Sequence, residues 1–143
     1  MCRGTNEEKK LFLEKIGCYI DIIASLERTL HAEEAKKVGV KAVDYSKEQV
    51  KGGIGNGWDY LIDVTDQYKE EIIKTTIEMV EHKRVILECV KKVEDLRLSR
   101  LLVLRYVERL EWHQIEDILN IATPTRNKLH ALALTELVLL DTV

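Results

Sequence analysis

Residues 98 to 137 of this chain decide its fold, and they read LSRLLVLRYVERLEWHQIEDILNIATPTRNKLHALALTEL. Apolar residues recur every three or four positions in this segment, which is typical of short amphipathic helices. The predicted helices cover 98–107, 112–119 and the residues from 123 onward. Asn120 tolerates the left-handed backbone that ends a helix, while Thr123 and Pro124 suit a cap and a first turn. The segment therefore predicts two helices joined by a turn of about three residues, after a third helix.

The three predicted helices share one small core. Its predicted members are Leu101, Leu102, Leu104 and Tyr106, then Trp112, Ile115, Ile118 and Leu119, and finally Leu129, Ala133 and Leu137. Trp112 is interpreted as the anchor of this core because a large aromatic ring buries the most apolar surface.

Two longer amphipathic helices are predicted before this segment, at about 7–38 and 59–93. Four of the seven glycines fall between residues 51 and 57, which predicts a loop between the two helices. The glycine cluster lacks the Lys-Ser/Thr ending of a phosphate-binding loop, so a linker is favoured over a nucleotide site. The two apolar stripes need partners, which predicts an antiparallel, coiled-coil-like hairpin or a homodimer through these helices. The predicted domains are therefore 1–93, a long helical hairpin, and 94–143.

Composition fits a small all-α protein of 143 residues, of which 45% are hydrophobic and 33% charged. The three cysteines are odd in number and widely spaced, which argues against disulfides or a zinc site and favours a reducing cytoplasm. Cys18 and Cys89 are predicted to be buried as small hydrophobic residues. The first fifteen residues mix acidic and basic side chains, so neither a signal peptide nor a membrane span is expected.

Charge argues against tight non-specific binding to nucleic acid. The formal net charge is −3, and residues 94–143 hold six Lys plus Arg against eight Asp plus Glu. Since DNA affinity rises with the number of neutralised phosphates, such a module needs a partner or several copies to bind well.

Three segments of the C-terminal part, 101–106 (LLVLRY), 112–115 (WHQI) and 129–134 (LHALAL), resemble region 4 of sigma factors. The chain is more closely similar to the RinA/ArpU-type phage transcriptional regulators, which precede such an ending with long helices. Residues 13–16 (LEKI) and 50–53 (VKGG) extend that likeness toward the N-terminus. The resemblance implies a sigma region 4-like helix-turn-helix of three helices. It also implies binding to promoter DNA or host RNA polymerase, in the cytoplasm of a bacterial host, by a phage or prophage protein.

The first turn of the last helix is where a recognition helix meets base edges in the major groove. Arginine suits guanine, asparagine suits adenine, and lysine or threonine suits phosphate or base. The predicted DNA-binding residues are Thr123, Thr125, Arg126, Asn127, Lys128 and His130. For His130 a packing or hydrogen-bonding role is the stronger alternative. An ordinary solvated helix start is the alternative for Thr125, Arg126, Asn127 and Lys128.

Four residues depart from the pattern that the resemblance predicts. Glu111 and Ala122 stand where serine caps are common, Glu116 where alanine allows close helix packing, and Arg126 near a position usually held by valine. These departures leave open a helical interaction adaptor, anti-sigma-like or acting in host takeover, whose helix-turn-helix is only structural.

No carboxylate pair, His/Cys cluster or nucleophile triad has a spacing that would converge on one site. We therefore expect no catalytic residues, no metal, no cofactor and no enzymatic activity. The operator sequence and the direction of regulation are not predicted by the sequence, nor is the partner of the hairpin.

Overall fold

The computed structural model describes the backbone of residues 4–46 and 51–140, and the side chains of 4–36 and 59–140. Its helices are α1 (Asn6–Ser46), α2 (Lys51–Lys91), α3 (Leu96–Leu102), α4 (Trp112–Leu119) and α5 (Thr123–Glu136). A π-helical turn, Val103–Val107, continues α3. Across these described ranges no β-strand forms, and the predicted all-α class is confirmed.

The chain divides into two compact units, and the division differs from the boundary predicted at residue 93. Unit 1 combines Met1–Cys18 with Met79–Val143, and unit 2 is Tyr19–Glu78. In unit 2, Leu61 and Thr65 are buried on α2, and the Thr65 hydroxyl donates to the carbonyl of Ile62 at 3.0 Å. That bond satisfies the buried hydroxyl without a second element.

The core of unit 1 is built from all five helices. Leu13 and Ile16 come from α1, and Val85, Ile86, Cys89, Val90 and Val93 from α2 or its end. The other buried apolar residues are Leu98, Leu101, Leu102, Leu104, Tyr106, Ile115, Leu129, Ala133, Leu134 and Leu137. The positions predicted for the core at 101, 102, 104, 106, 115, 129, 133 and 137 are all buried. Ile118 is 46% exposed, because α4 turns only one narrow face inward and Ile115 occupies it.

The first turn of α1 is bonded to the last turn of α5. The Lys9 side chain is 5% exposed, and its ammonium donates to the carbonyls of Leu134 at 2.8 Å and Thr135 at 3.2 Å. Asn6 donates to the Thr135 hydroxyl at 3.3 Å. The last carbonyls of a helix have no partner within it and carry partial negative charge, so a buried ammonium is a suitable cap. This contact joins the start of α1 to α5 within unit 1.

The start of α1 also contacts the end of α2. His82 Nε2 lies 2.7 Å from the carbonyl oxygen of Phe12, and the two rings meet edge to face at 4.6 Å. At the corner between α2 and α3, the Ser99 hydroxyl lies 3.2 and 3.1 Å from the carbonyls of Val90 and Val93. These bonds hold α3 against the end of α2.

Two predictions from the N-terminal part were wrong. The predicted loop at 51–57 lies in the first turns of α2, which begins at Lys51. Glycine costs a helix about 1 kcal/mol per residue relative to alanine, which disfavours a helix without forbidding it. Cys18 is exposed, since it lies off the face of α1 that buries Leu13 and Ile16, whereas Cys89 is buried as predicted. Cys2 lies outside the described residues.

Candidate nucleic-acid interface

The segment from α4 to α5 has the bounds that the sequence predicts. α4 covers Trp112–Leu119, and the backbone N–H of Glu111 donates to Gln114 Oε1 at 2.9 Å, which satisfies one donor at the helix start. Asn120 adopts φ 55° and ψ 54°, the left-handed conformation expected of it, and residues 120–122 form the turn. A helix, a three-residue turn and a second helix follow one another as predicted.

α5 begins differently from the prediction at its cap. Ala122, with φ −83° and ψ 162°, is the N-cap, and Thr123 is the first helical residue with Pro124 after it. The Thr123 hydroxyl donates to Glu116 Oε1 at 3.2 Å and so joins the two helices of the segment. The predicted cap at Thr123 was therefore wrong, because α5 begins one residue earlier than predicted, at Thr123, and its cap is Ala122.

Trp112 lies among cationic and aromatic side chains. The guanidinium carbons of Arg105 and Arg126 are 4.5 and 4.6 Å from the Trp112 ring centroid, and the ring of His130 meets it edge to face at 4.8 Å. Arg105 also donates to the carbonyl of Leu110 at 3.0 Å. A guanidinium within about 6 Å of an indole face is attracted by its quadrupole. We refer to Arg105, Trp112, Arg126 and His130 as the Trp112 cluster.

The guanidinium of Arg126 contacts other residues of the α4–α5 segment. Its Nε is 3.2 Å from Glu116 Oε2, with the two side chains 14% and 19% exposed, and its Nη2 donates to Asn127 Oδ1 at 2.8 Å. The Nε–H is not aligned for a hydrogen bond within the described part of the chain, so the attraction to Glu116 is mainly Coulombic. Arg126 and Glu116, the two large departures from the pattern of the resemblance, thus face each other.

His130 is paired with Tyr106. The Tyr106 hydroxyl and His130 Nε2 are 2.7 Å apart. Burial, with the nearby charges of Lys10, Arg105 and Arg126, lowers the pKa of His130 to about 4, and burial raises the pKa of Tyr106 to about 12. At neutral pH both groups are uncharged, so the Tyr106 O–H donates and the imidazole nitrogen accepts. This geometry fits the packing and hydrogen-bonding alternative for His130.

Only some of the six predicted DNA-binding residues lie outside the internal contacts of the α4–α5 segment. Thr125, Asn127 and Lys128 are exposed, and Lys128 has no ion-pair partner among the residues that the structure describes. Of the six predicted residues, Thr123 and Arg126 contact Glu116 and His130 contacts Tyr106. Asn127 and Lys128 are therefore exposed polar side chains at the start of α5, as is Thr125, although Asn127 Oδ1 accepts from Arg126 Nη2 within the segment.

Two features of this site were missed in the sequence. The pairing of Glu116 with Arg126 had a signal, since opposite charges occupied two mismatched positions on consecutive helices. The bond from Tyr106 to His130 had none, because no spacing relates residues 24 apart on different helices. Among the described side chains, those of residues 4–36 and 59–140, no three His, Cys, Asp or Glu come together as a metal site. Within the same ranges, no helix has the length and apolar content needed to span a membrane.

Residues 40–138 match the sequence model of a family described as "Protein of unknown function (DUF1492)". The matched region includes all of α2 to α5, so the Trp112 cluster and the α4–α5 segment lie inside it. No curated protein and no solved structure matches the chain.

Proposed function

Because the chain belongs to the DUF1492 family, whose description assigns no activity, we propose a function from the α4–α5 segment: a phage-type transcriptional regulator that binds promoter DNA. The observation that carries this proposal is the helix, three-residue turn and second helix, with the left-handed Asn120 at the first helix end. In helix-turn-helix proteins the second helix of such a segment enters the major groove with its N-terminal residues toward the bases.

Within this proposal, Asn127 and Lys128 make the DNA contacts. Both are exposed in the first two turns of α5. An asparagine amide matches adenine N6 and N7, and a lysine ammonium matches phosphate. Arg126 instead supports the motif, because its guanidinium is held by Trp112 and Glu116.

A single lysine on this face gives weak electrostatic affinity, so the proposal includes a second copy of the chain. We propose that α1 and α2 pair as an antiparallel hairpin and that two hairpins associate, which places two α5 helices on one duplex. Two modules that bind together gain affinity through their effective concentration without new contacts. Host RNA polymerase is the further partner that the resemblance implies.

The test is a binding-site selection from random-sequence duplexes, followed by titrations of the selected and scrambled duplexes at several salt concentrations. Asn127→Ala should reduce the preference for the selected site by about 1 to 3 kcal/mol and leave weak non-specific binding in place. Lys128→Ala should weaken both complexes and lower the salt slope by about one unit. Lys92→Ala, which removes an exposed lysine at the end of α2, is the matched control and should change neither quantity.

The second candidate function is a helical adaptor whose α4–α5 segment only packs. Arg126 favours it, because the arginine predicted to read guanine is turned toward Trp112 and Glu116. The excess of acidic over basic residues in 94–143 favours it as well. If the selection enriches no sequence and the three variants bind DNA as weakly as the parent, the adaptor replaces the regulator.

A further inference from the structure

A groove lies between α3 and the turn that leads into α5. It has a volume of about 320 Å³, and its apolar lining includes Leu119, Ile121 and Leu129. Leu129 is buried, while Leu119 and Ile121 are half-buried. The floor of the groove is therefore apolar surface that the protein's own helices leave in contact with water.

Leu96 extends this apolar surface to the rim. It is the first residue of α3, follows the cap Asp95, and is 80% exposed although it lines the groove. A single exposed leucine needs no explanation, but one that continues an apolar groove enlarges a contiguous patch. Such patches with a polar rim mark interaction sites more often than scattered apolar residues do.

The polar part of the rim is positively charged. Arg97 and Arg100 line the groove beside Leu96 and Thr125. Arg97 has only a long, exposed contact with Asp95, 3.4 Å from Nη2 to Oδ2, and Arg100 has no ion-pair partner in the described part of the chain. Two guanidiniums in a chain of net charge −3 give this rim a sign opposite to that of the protein as a whole.

We propose that this groove docks an amphipathic segment of a partner protein that carries carboxylates beside its apolar side chains. An apolar side chain of the segment fills the space between Leu96 and Ile121, and its Asp or Glu residues pair with Arg97 and Arg100. The arginine fork recognises a carboxylate through two parallel hydrogen bonds, which suits an acidic rather than a basic or neutral segment. The proposal goes beyond DNA binding and does not depend on it, because Asn127 and Lys128 do not line the groove; of the predicted DNA-binding residues, Thr125 does.

The test uses three synthetic helical peptides that share two leucines spaced four residues apart and differ at the flanking positions. The flanking residues are Glu in the first peptide, Gln in the second and Lys in the third. Binding to the full chain is followed by backbone amide shifts in two-dimensional NMR. We expect the Glu peptide to shift the amides of Leu96, Arg100 and Ile121, and to bind at least about tenfold more tightly than the Gln peptide.

Variants assign this binding to the groove. Arg100→Glu and Leu96→Gln, both at exposed positions, should each weaken the Glu peptide by about tenfold. Arg84→Glu is the matched control, because it makes the same charge reversal at an exposed arginine outside the groove, and it should leave affinity unchanged. Circular dichroism checks each fold, and Arg100→Gln replaces the charge reversal if that variant unfolds.

Four results would overturn the proposal. The first is the absence of any amide shift with all three peptides at about 1 mM, which is the weak end of specific affinity. The second is equal binding of the Glu, Gln and Lys peptides. The third is a shift of the groove amides on addition of duplex DNA but not of any peptide, which would mean that Arg97 and Arg100 bind phosphate. The fourth is a shift of the same amides on concentrating the protein alone, which would make the groove a contact between copies of this chain.

Discussion

Glu116 and Arg126 form an ion pair, and we expect their contributions to the free energy of unfolding to be coupled. The Nε to Oε2 distance is 3.2 Å and the side chains are 19% and 14% exposed, which places the pair between surface and buried cases. Exposed pairs contribute about 0 to 1 kcal/mol, and breaking a fully buried pair costs about 3 to 5 kcal/mol. Because the Nε–H is not aligned with the carboxylate, we expect a coupling energy of about 1 kcal/mol.

The perturbation is a double-mutant cycle of Glu116→Ala and Arg126→Val, measured as the free energy of unfolding in urea at neutral pH. Glu116→Ala should cost about 1 to 2 kcal/mol, since it leaves a half-buried guanidinium without its carboxylate. Arg126→Val should cost about as much, because it also removes the cation from the Trp112 ring. The double variant should cost about 1 kcal/mol less than the sum, since replacing both charges leaves neither unpaired.

The exposed pair Glu81 and Arg84 is the matched control, with both side chains 60% exposed and 2.8 Å between Nη2 and Oε1. The same substitutions there should show a smaller coupling energy than at Glu116 and Arg126, because water screens the exposed charges. The reasoning is refuted if Glu116→Ala and Arg126→Val are additive within about 0.3 kcal/mol. A coupling at the control pair as large as at Glu116 and Arg126 would refute the role of burial.

Three further predictions concern the packing of unit 1. Lys9→Met keeps the methylene stem and removes the ammonium from the carbonyls of Leu134 and Thr135. The free energy of unfolding, measured by thermal unfolding, should therefore fall by about 1 to 3 kcal/mol, and an unchanged melting temperature would contradict this. The folded pKa of His130, about 4, lies below its ordinary value of 6.5, so the unfolded chain takes up the proton first and stability should fall as pH falls from 6.5 to 4. The full pKa shift corresponds to about 3 kcal/mol of stability, and the partial exposure of His130 reduces this to about 1 to 2 kcal/mol. The free energy of unfolding of His130→Asn, measured in urea, should therefore depend less on pH than that of the parent. An equal pH dependence in the two proteins would rule out this contribution. Leu101→Ala should cost about 2 to 5 kcal/mol in urea unfolding, and a cost near that of an exposed leucine would mean that the site is not packed as described.

The α4–α5 segment was predictable from the sequence because its signals are local. The periodic apolar residues of α4 are bounded by Asn120, whose left-handed backbone ends the helix after Leu119. The predicted start of α2, at about residue 59, rested on no such signal, and α2 begins at Lys51. The glycines before residue 58 lower helix propensity, yet propensity is a weak preference that the helix continuing from them overrides.

The internal contacts of the site could not be predicted to the same degree. Periodicity places Arg126 on a helix face, but it does not say which residue of the preceding helix meets that face across the turn. The same limit applies to Cys18, whose neighbours in the sequence are apolar although the residue itself is exposed. Both outcomes depend on how helices rotate about their own axes, and small changes in packing decide that rotation.

The bond from Lys9 to the carbonyls of Leu134 and Thr135 has a consequence for the order of events during synthesis on the ribosome. The ammonium is made early, and its acceptors lie 125 and 126 residues later. Chains leave the ribosome at about 5 to 20 residues per second, so the Lys9 ammonium waits for several seconds before its acceptors in α5 are made. The contact between Phe12 and His82 needs only α1 and α2, so it can form during that interval. The closing of unit 1 by the Lys9 contact therefore follows the synthesis of α5.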